Sequence, residues 1–156
     1  MPSQISLREQ QYYANPNNSF WWIASRIWGF SEPLSYVDRV TKITQSGVAV
    51  WDVLADCVRP GSLDSAIVKS SEVANNLMQF LQQHPSIKLI AFNGRAANQI
   101  FNRHCSEVSS NFLMLRFVLL PSSSPAHAIM TKEQKLFVWQ KIISDSKEWR
   151  LRPNDL

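Results

Sequence analysis

Three short apolar segments of β-strand composition recur along this chain, each separated from the next by residues with helical spacing. The predicted strands are residues 47–51, 87–92 and 111–120. Strands that are apolar throughout are typical of parallel sheets, whose two faces are covered by helical crossovers. The alternation predicts an α/β fold, and 156 residues suit one domain spanning 1–156.

Five helical segments accompany these strands. The apolar residues that follow Asn18 recur at helical spacing as far as Gly29, which is a preferred residue just after a helix end. Thr131 and Gln134 form a capping-box pair, which predicts that the last helix begins there. Three further helices are predicted after residues 31–33, over residues 73–81 and after Asn93-Gly94, through Phe101.

The carboxyl ends of parallel strands are where α/β proteins bind their ligands. The residues at these positions are Asp52, Asn93 with Gly94, and residues 120–125. We therefore expect the chemistry of this chain at these three places.

Composition argues against several classes of function. Charged residues make up only 18% of the chain, which disfavours a disordered protein, and the net charge of +4 permits an anionic partner without requiring one. Cys57 and Cys105, with His84 and His104, lack the spacing of a metal site. No apolar run is long enough to cross a membrane, no signal peptide is predicted, and no glycine-rich nucleotide-binding string occurs.

Six strings, in order along nearly the whole chain, resemble the uracil-DNA glycosylase superfamily, and its hypoxanthine-DNA (deoxyinosine) glycosylase branch most closely. Any one string is weak, whereas the ordered set is specific. They are residues 1–3 (MPS), 11–21 (QYYANPNNSFW), 47–53 (GVAVWDV), 57–64 (CVRPGSLD), 92–94 (FNG) and 120–126 (LPSSSPA).

The resemblance implies a three-layer α/β/α sandwich around a parallel sheet and a monofunctional DNA N-glycosylase that hydrolyses the bond between a deaminated base and deoxyribose. Its partner would be double-stranded DNA containing hypoxanthine, or alternatively uracil or xanthine, flipped into a closed pocket. We expect no cofactor, no metal, no obligate protein partner, a monomer, and a cytoplasmic, nucleoid-associated location.

Asn18 and Asp52 are the catalytic candidates. The resemblance gives Asn18 to the water that attacks the sugar, whereas its place before a helix fits an N-cap equally well, and one residue can serve both purposes. Asp52 either holds water or is a structural acid paired with Arg59, and the structural role is slightly favoured because an anion opposes a departing anionic base.

Phe20, Tyr13, Asn93 and Ser3 are the base-binding candidates. Phe20 matches the aromatic residue on which the flipped base stacks, but it also lies on the apolar stripe of its helix. Tyr13 lines the pocket mouth or anchors a loop. Asn93 offers the donor and acceptor that read a base edge, while Asn-Gly is also a common turn.

Ser122, Ser123, Ser124 and Pro125 match a rigid loop that contacts the DNA backbone. Arg59 and Arg95 are further candidates for phosphate contacts, although solvated surface charge is the simpler interpretation for most of the basic residues. The same applies to the other arginines and lysines of this group, which are Arg103, Lys147, Arg150 and Arg152.

The chain departs from the superfamily pattern in two places. Many members begin the loop after the last strand with a His that stabilises the leaving base, and Leu120 stands at that position. The superfamily also has an apolar first strand before the Pro-Ser of residues 2–3, so we expect a domain short of that strand.

The alternatives to a hypoxanthine-DNA glycosylase are a mismatch-specific uracil-DNA glycosylase and a catalytically silent DNA-binding relative.

Overall fold

The structure of the chain is a computed structural model that describes residues 2–61 and 64–148. The helices are α1 (Gln4–Glu9), α2 (Phe20–Trp28), α3 (Tyr36–Gln45), α4 (Leu77–Gln83), α5 (Arg95–His104), α6 (Glu107–Asn111) and α7 (Lys132–Glu148). The strands are β1 (Leu54–Asp56), β2 (Val73–Ala74), β3 (Leu89–Asn93) and β4 (Arg116–Leu120).

Strands β3 and β4 form a parallel pair at the centre of the fold. Leu89 lies opposite Arg116, and the register continues until Asn93 lies opposite Leu120. Because both strands end at the same level, the loops that follow them leave the sheet side by side. This edge is where the sequence predicts the functional residues.

Helices cover both faces of this pair. Ile90, Phe92 and Phe117 share one face, where they pack with residues of α4, α5 and α6. Leu120 points to the other face and packs with α2, α3 and α7, including Trp139. The predicted three-layer α/β/α arrangement is therefore confirmed.

The ends of two helices also follow the sequence prediction. Helix α2 ends at Gly29, whose φ of 70° is a left-handed conformation that glycine adopts without strain. At the start of α7, the Thr131 N–H donates to Gln134 Oε1 at 2.9 Å, and the Gln134 N–H donates to Thr131 Oγ1 at 3.2 Å.

The predicted strand at 47–51 is wrong. Val48 and Val50 contact the α2–α3–α7 core cluster while Ala49 and Trp51 are exposed, so burial alternates as it does along a strand. Within the described residues, however, no neighbouring strand supplies the hydrogen bonds that would place this segment in a sheet. The chain instead enters β1, which pairs antiparallel with β2, so the predicted helix over 73–81 begins only at Leu77.

The predicted strand at 111–120 is right only in its second half. Residues 107–111 form α6, and the chain then turns through Leu113 and Met114, which are exposed. The apolar composition of this segment predicted a buried strand, but the side chains of Leu113 and Met114 are not buried. Similarly, the helix predicted after residues 31–33 begins at Tyr36, where Ser35 caps it.

A charged group links the segment before β2 to the end of α5. The Glu72 carboxylate accepts hydrogen bonds from Arg103 and contacts the His104 ring, and its side chain is 2% exposed. The hydrogen bond from Arg103 is the main cause that lowers the pKa of Glu72, with His104 next. Arg103 therefore has a structural partner.

No helix of the described residues is long and apolar enough to cross a bilayer.

Glu72→Gln should destabilise the fold by about 1–2 kcal/mol, because it removes the charge that Arg103 and His104 share while both remain partly hydrated. Since Glu72 ionises more readily in the folded chain, its contribution is present above about pH 4.3 and is lost as pH falls through its lower folded pKa. Chemical unfolding between pH 3 and 7 measures this effect. Glu9→Gln, which removes an exposed ion pair with Arg8, is the control; equal unfolding free energies for the two variants would contradict the assignment.

Candidate active site

The loops after β3 and β4 come into direct contact just beyond the sheet. Gly94 has a φ of 101°, and its N–H donates to the Leu120 carbonyl at 3.1 Å. A Cβ at this position would lie 2.8 Å from the Cβ of Ser122. Only glycine therefore allows both this backbone conformation and this approach.

The side chain of Asn93 joins three segments. Its Nδ2 donates to the Tyr13 hydroxyl at 3.0 Å and to Ser123 Oγ at 2.8 Å, and its Oδ1 accepts from the Ser123 N–H at 2.8 Å. Both amide hydrogens are thus used within the protein. Asn93 lies where the base-reading prediction requires it, but in this conformation it binds protein groups.

Tyr13 fills the space between Asn93 and Phe20. Its ring is stacked on Phe20, with centroids 3.9 Å apart and planes 18° apart. The Tyr13 backbone has a φ of 55°, which is strained for a bulky residue. Burial raises the pKa of Tyr13 to about 12, so its hydroxyl remains protonated at neutral pH.

Phe20 is 5% exposed, with Trp21 and Trp139 at its edges and Tyr13 on one face. It therefore belongs to the core cluster, which is one of the two roles that its position in the sequence allows. A base can stack on that face of Phe20 only after Tyr13 has left it.

The N-cap position of helix α2 is Ser19, whose side chain makes no capping hydrogen bond, so the cap predicted at Asn18 is displaced by one residue. Asn18 nevertheless binds the first N–H of the helix. Its Oδ1 accepts a hydrogen bond from the Phe20 N–H at 2.9 Å. Asn18 also lines a polar cavity of about 370 Å³ between the start of α2 and the loop after β4. The remaining residues that line it are Pro16, Asn17, Ser19, Trp22, Glu32, Ser123, Pro125, His127, Ala128, Met130, Lys132 and Lys135.

Asp52 lies beside the tyrosines rather than in this cavity. Burial raises the pKa of Asp52, which the positive charge of Arg59 partly opposes. The negative charge of Asp52 contributes to the raised pKa of both Tyr12 and Tyr13, and its backbone hydrogen-bonds Tyr12. A carboxylate with a raised pKa is a better proton acceptor, so the catalytic prediction for Asp52 stands as a prediction.

The serines after β4 have different surroundings. Ser123 is 1% exposed, and its carbonyl accepts from the N–H and hydroxyl of Ser19. Ser122 Oγ accepts from the Ser124 N–H, and Ser124 Oγ accepts from the Ala126 N–H. Ser123 is thus engaged inside the protein, while Ser122, Ser124 and the exposed Pro125 remain closer to the surface.

Ser3 lies at the start of α1. Its hydroxyl accepts from the Ser6 N–H at 3.1 Å and donates to Ser6 Oγ, which also accepts from the Ala14 N–H. These bonds connect α1 to the segment that carries Tyr13.

The two arginines of the DNA-binding prediction differ in accessibility. The side chain of Arg59 is 7% exposed and contacts the Pro2 carbonyl and Asp64, so in this conformation it is turned inward. Arg95 is exposed at the start of α5, directly after the Asn93-Gly94 turn. Arg150, Arg152 and the side chain of Lys147 lie outside the described residues.

Lys135 is a residue of this region that the sequence did not indicate. It is 4% exposed, and its Nζ donates to the Ser124 carbonyl at 3.1 Å. Its position four residues before Trp139 places it on the buried face of α7, but helical spacing does not distinguish a buried ammonium group from one that reaches solvent.

Among the described residues, no group of three or more His, Cys, Asp or Glu side chains is placed to hold a metal ion.

A parallel strand pair between helical layers, with polar loops converging at its carboxyl end, defines an α/β protein of the class that binds ligands at that edge. No family model matches the sequence. Hypoxanthine DNA glycosylase of Methanosarcina acetivorans is 31% identical over 136 residues, which cover 86% of this chain and 81% of that protein. Hypoxanthine DNA glycosylase of Methanosarcina barkeri is 30% identical over 100 residues, or 64% of this chain and 62% of that protein.

The fold comparison agrees with these relatives. A solution NMR structure of a Methanosarcina acetivorans protein assigned as a uracil DNA glycosylase superposes with a TM-score of 0.70 and 28% identity, covering 90% of this chain and 85% of that one. This chain therefore belongs to the hypoxanthine DNA glycosylase family, within the uracil-DNA glycosylase superfamily. The predictions of superfamily, fold and DNA glycosylase activity are confirmed.

Gly94→Ala should separate the Asn93 turn from Ser122 and cost at least about 2 kcal/mol, because a positive φ and a 2.8 Å contact act together. Gly29→Ala and Gly47→Ala are matched controls, since both glycines have a positive φ but open space where a Cβ would lie. Urea unfolding of the three variants separates the contact from the backbone effect. A Gly94→Ala variant no less stable than the controls would show that the two loops can move apart freely.

Proposed function

We propose that this chain removes hypoxanthine from double-stranded DNA by hydrolysing its bond to deoxyribose, which leaves an abasic site. The observation that supports this most directly is the likeness, over most of both chains, to a protein named hypoxanthine DNA glycosylase. The site is consistent with it, because amide, aromatic and carboxylate side chains lie together at the sheet edge.

The reaction sets two electrostatic tasks. Cleavage passes through a sugar with oxocarbenium character and leaves negative charge on the departing base, so the protein must hold the base by hydrogen bonds and position water at the sugar carbon. The target nucleotide must also leave the base stack, which costs a few kcal/mol and least for a poorly paired base. Both tasks require donors and acceptors at a pocket from which bulk water is excluded.

Asn18 is the residue we assign to the water. Its Oδ1 is fixed by the Phe20 N–H, which holds the amide at the wall of the cavity. An uncharged amide is a weak base, so Asn18 orients the water and polarises it slightly. Asp52, whose pKa is raised by burial, lies beside the tyrosines and outside this cavity, and it stays a separate candidate for a proton acceptor.

Phe20 and Asn93 are the residues we assign to the base. In the described conformation, Tyr13 has the two contacts that an extruded base would make, namely a stack on Phe20 and a hydrogen bond from Asn93 Nδ2. The base therefore enters when Tyr13 leaves. Release of the strained backbone at Tyr13 favours that movement.

A substrate panel separates this function from its alternatives. Duplexes that contain one deoxyinosine, deoxyuridine or deoxyxanthosine are incubated with excess enzyme, and strand scission at the abasic site is followed over time. Fastest cleavage of deoxyinosine supports the proposal. Cleavage of only the uracil strands identifies a mismatch-specific uracil glycosylase, and salt-dependent binding without scission identifies a silent DNA-binding relative.

Asn18→Ala should lower the single-turnover rate by roughly 100-fold or more, because water is no longer oriented, and should cost about 1 kcal/mol of stability from the lost hydrogen bond to the Phe20 N–H. Asn18→Ser retains a hydroxyl that can accept the Phe20 N–H but has no amide, so it should restore the melting temperature and not the rate. Asn15→Ala is the control, because Asn15 also accepts a backbone N–H but does not line the cavity. Recovery of the rate in Asn18→Ser would show that Asn18 serves only to bind the N–H at the start of α2.

Tyr13→Phe should bind a deoxyinosine duplex about fivefold more tightly, because the hydrogen bond that keeps the ring in place, worth about 1 kcal/mol, is lost. Affinity for an undamaged duplex should not change. Tyr12→Phe also removes a hydroxyl hydrogen bond, but one to the Asp52 backbone, and serves as the control. Unchanged or weaker binding of the deoxyinosine duplex by Tyr13→Phe would mean that Tyr13 stays in place when the base binds.

A further inference from the structure

Lys135 is a buried cation whose surroundings within the protein do not compensate its charge. The residue is 4% exposed, although lysine is among the residues least often buried without a partner. Its ammonium group has three donors, and the hydrogen bond to the Ser124 carbonyl uses one of them. In the part of the chain that the structure describes, Lys135 forms no salt bridge.

An ammonium group in this situation lowers the stability of the folded chain. Burial lowers the pKa of Lys135, which means that the folded state holds the proton less tightly than the unfolded state does. Below both pKa values the full cost is present, and it is relieved as pH rises through the folded pKa. A bound anion would offset this cost directly.

The cavity beside Lys135 has the lining that an anion requires. Lys132 and His127 also line it, and the Lys132 ammonium lies 4.6 Å from the centroid of the Trp22 ring. Asn17, Asn18 and Ser19 contribute amide and hydroxyl groups. The one carboxylate among the lining residues, Glu32, forms a 3.5 Å ion pair with Arg26 and is thereby partly neutralised.

We propose that this cavity binds a phosphodiester group of the DNA backbone next to the target nucleotide, with Lys135 as the charge that neutralises it. The inference rests on the proposed function in that it takes DNA as the ligand. A phosphodiester matches the site because it offers only acceptors, whereas the ammonium group offers only donors. A neutral base in the same place would leave the charge of Lys135 uncompensated.

The position of Lys135 also connects the phosphate to the loop after β4. Its Nζ holds the Ser124 carbonyl, which is next to Ser123, and Ser123 is hydrogen-bonded to Asn93. Asn18 lines the same cavity. A phosphate bound here therefore shares its cavity with the residue assigned to the attacking water.

Lys135→Met tests the proposal, with Lys141→Met as the matched control, because Lys141 is exposed on the same helix and does not line the cavity. Affinity for an undamaged duplex is measured as a function of salt concentration. Lys135→Met should reduce the slope of log Kd against log salt by about one, whereas Lys141→Met should leave it unchanged. A variant with the wild-type slope would overturn the proposal.

Thermal unfolding of the same variants distinguishes a ligand-binding charge from a structural tie. Removal of a buried, unpaired ammonium should leave the melting temperature of Lys135→Met equal to or above that of the wild type. A fall of several degrees, with an unchanged salt slope, would show that Lys135 serves only to hold the Ser124 carbonyl.

Methylphosphonate substitution locates the phosphate. Duplexes that carry one abasic-site analogue to fix the register, and in which one phosphate at a time is made neutral, should show a single position where the wild type loses affinity and Lys135→Met loses no more. Additive losses at every position would overturn the proposal. Because the salt dependence is measured on an undamaged duplex, it remains decisive even where the substrate panel shows no excision of hypoxanthine, and the two failures can be told apart.

Discussion

The amide of Asn93 is the interaction on which the arrangement of this site depends. Its three hydrogen bonds connect the end of β3, the loop after β4 and the segment that carries Tyr13. Parallel pairing places Asn93 opposite Leu120, so Ser123 is within reach, and Gly94 permits the two loops to touch. Without this amide, three segments that are far apart in the sequence would have no common polar contact at the sheet edge.

Aromatic side chains with polar tips hold the same segments from the core side. Trp139 Nε1 donates to the Pro121 carbonyl at 2.9 Å, and Trp21 Nε1 donates to the Tyr12 carbonyl at 3.0 Å. The Tyr12 N–H in turn donates to the Tyr36 hydroxyl. Each ring buries apolar area in the α2–α3–α7 layer while its polar atom fixes a loop, which explains why tryptophan and tyrosine are concentrated here.

Local sequence signals predicted the parts of the structure that local interactions determine. The capping box at Thr131 and Gln134 and the end of α2 at Gly29 each depend on groups within a few residues. The strand predicted at 47–51 failed because membership of a sheet depends on a neighbouring strand, which composition alone does not supply. The strand predicted over 111–120 was wrong in its first half for a related reason. Leu113 and Met114 are apolar but exposed, because burial is decided by the tertiary fold.

The candidate site shows the same difference between features that local sequence determines and features that the tertiary fold determines. The resemblance predicted site roles for Asn18, Asn93 and Phe20, and these roles stay predictions. The structure places Asn93 at the end of β3, Asn18 at the cavity and Phe20 in the core cluster. What the sequence could not indicate is that both hydrogens of the Asn93 amide are already used and that Tyr13 occupies the face of Phe20. The burial of Arg59 and Lys135 is equally inaccessible to local patterns, because each depends on contacts with distant segments.

Mass spectrometry of the released base tests the central claim most directly. A deoxyinosine duplex is incubated with the wild-type chain, and the small molecules released are identified. The account predicts free hypoxanthine together with an intact strand that carries an abasic site. Release of no base, or of uracil alone from a parallel deoxyuridine duplex, would contradict it.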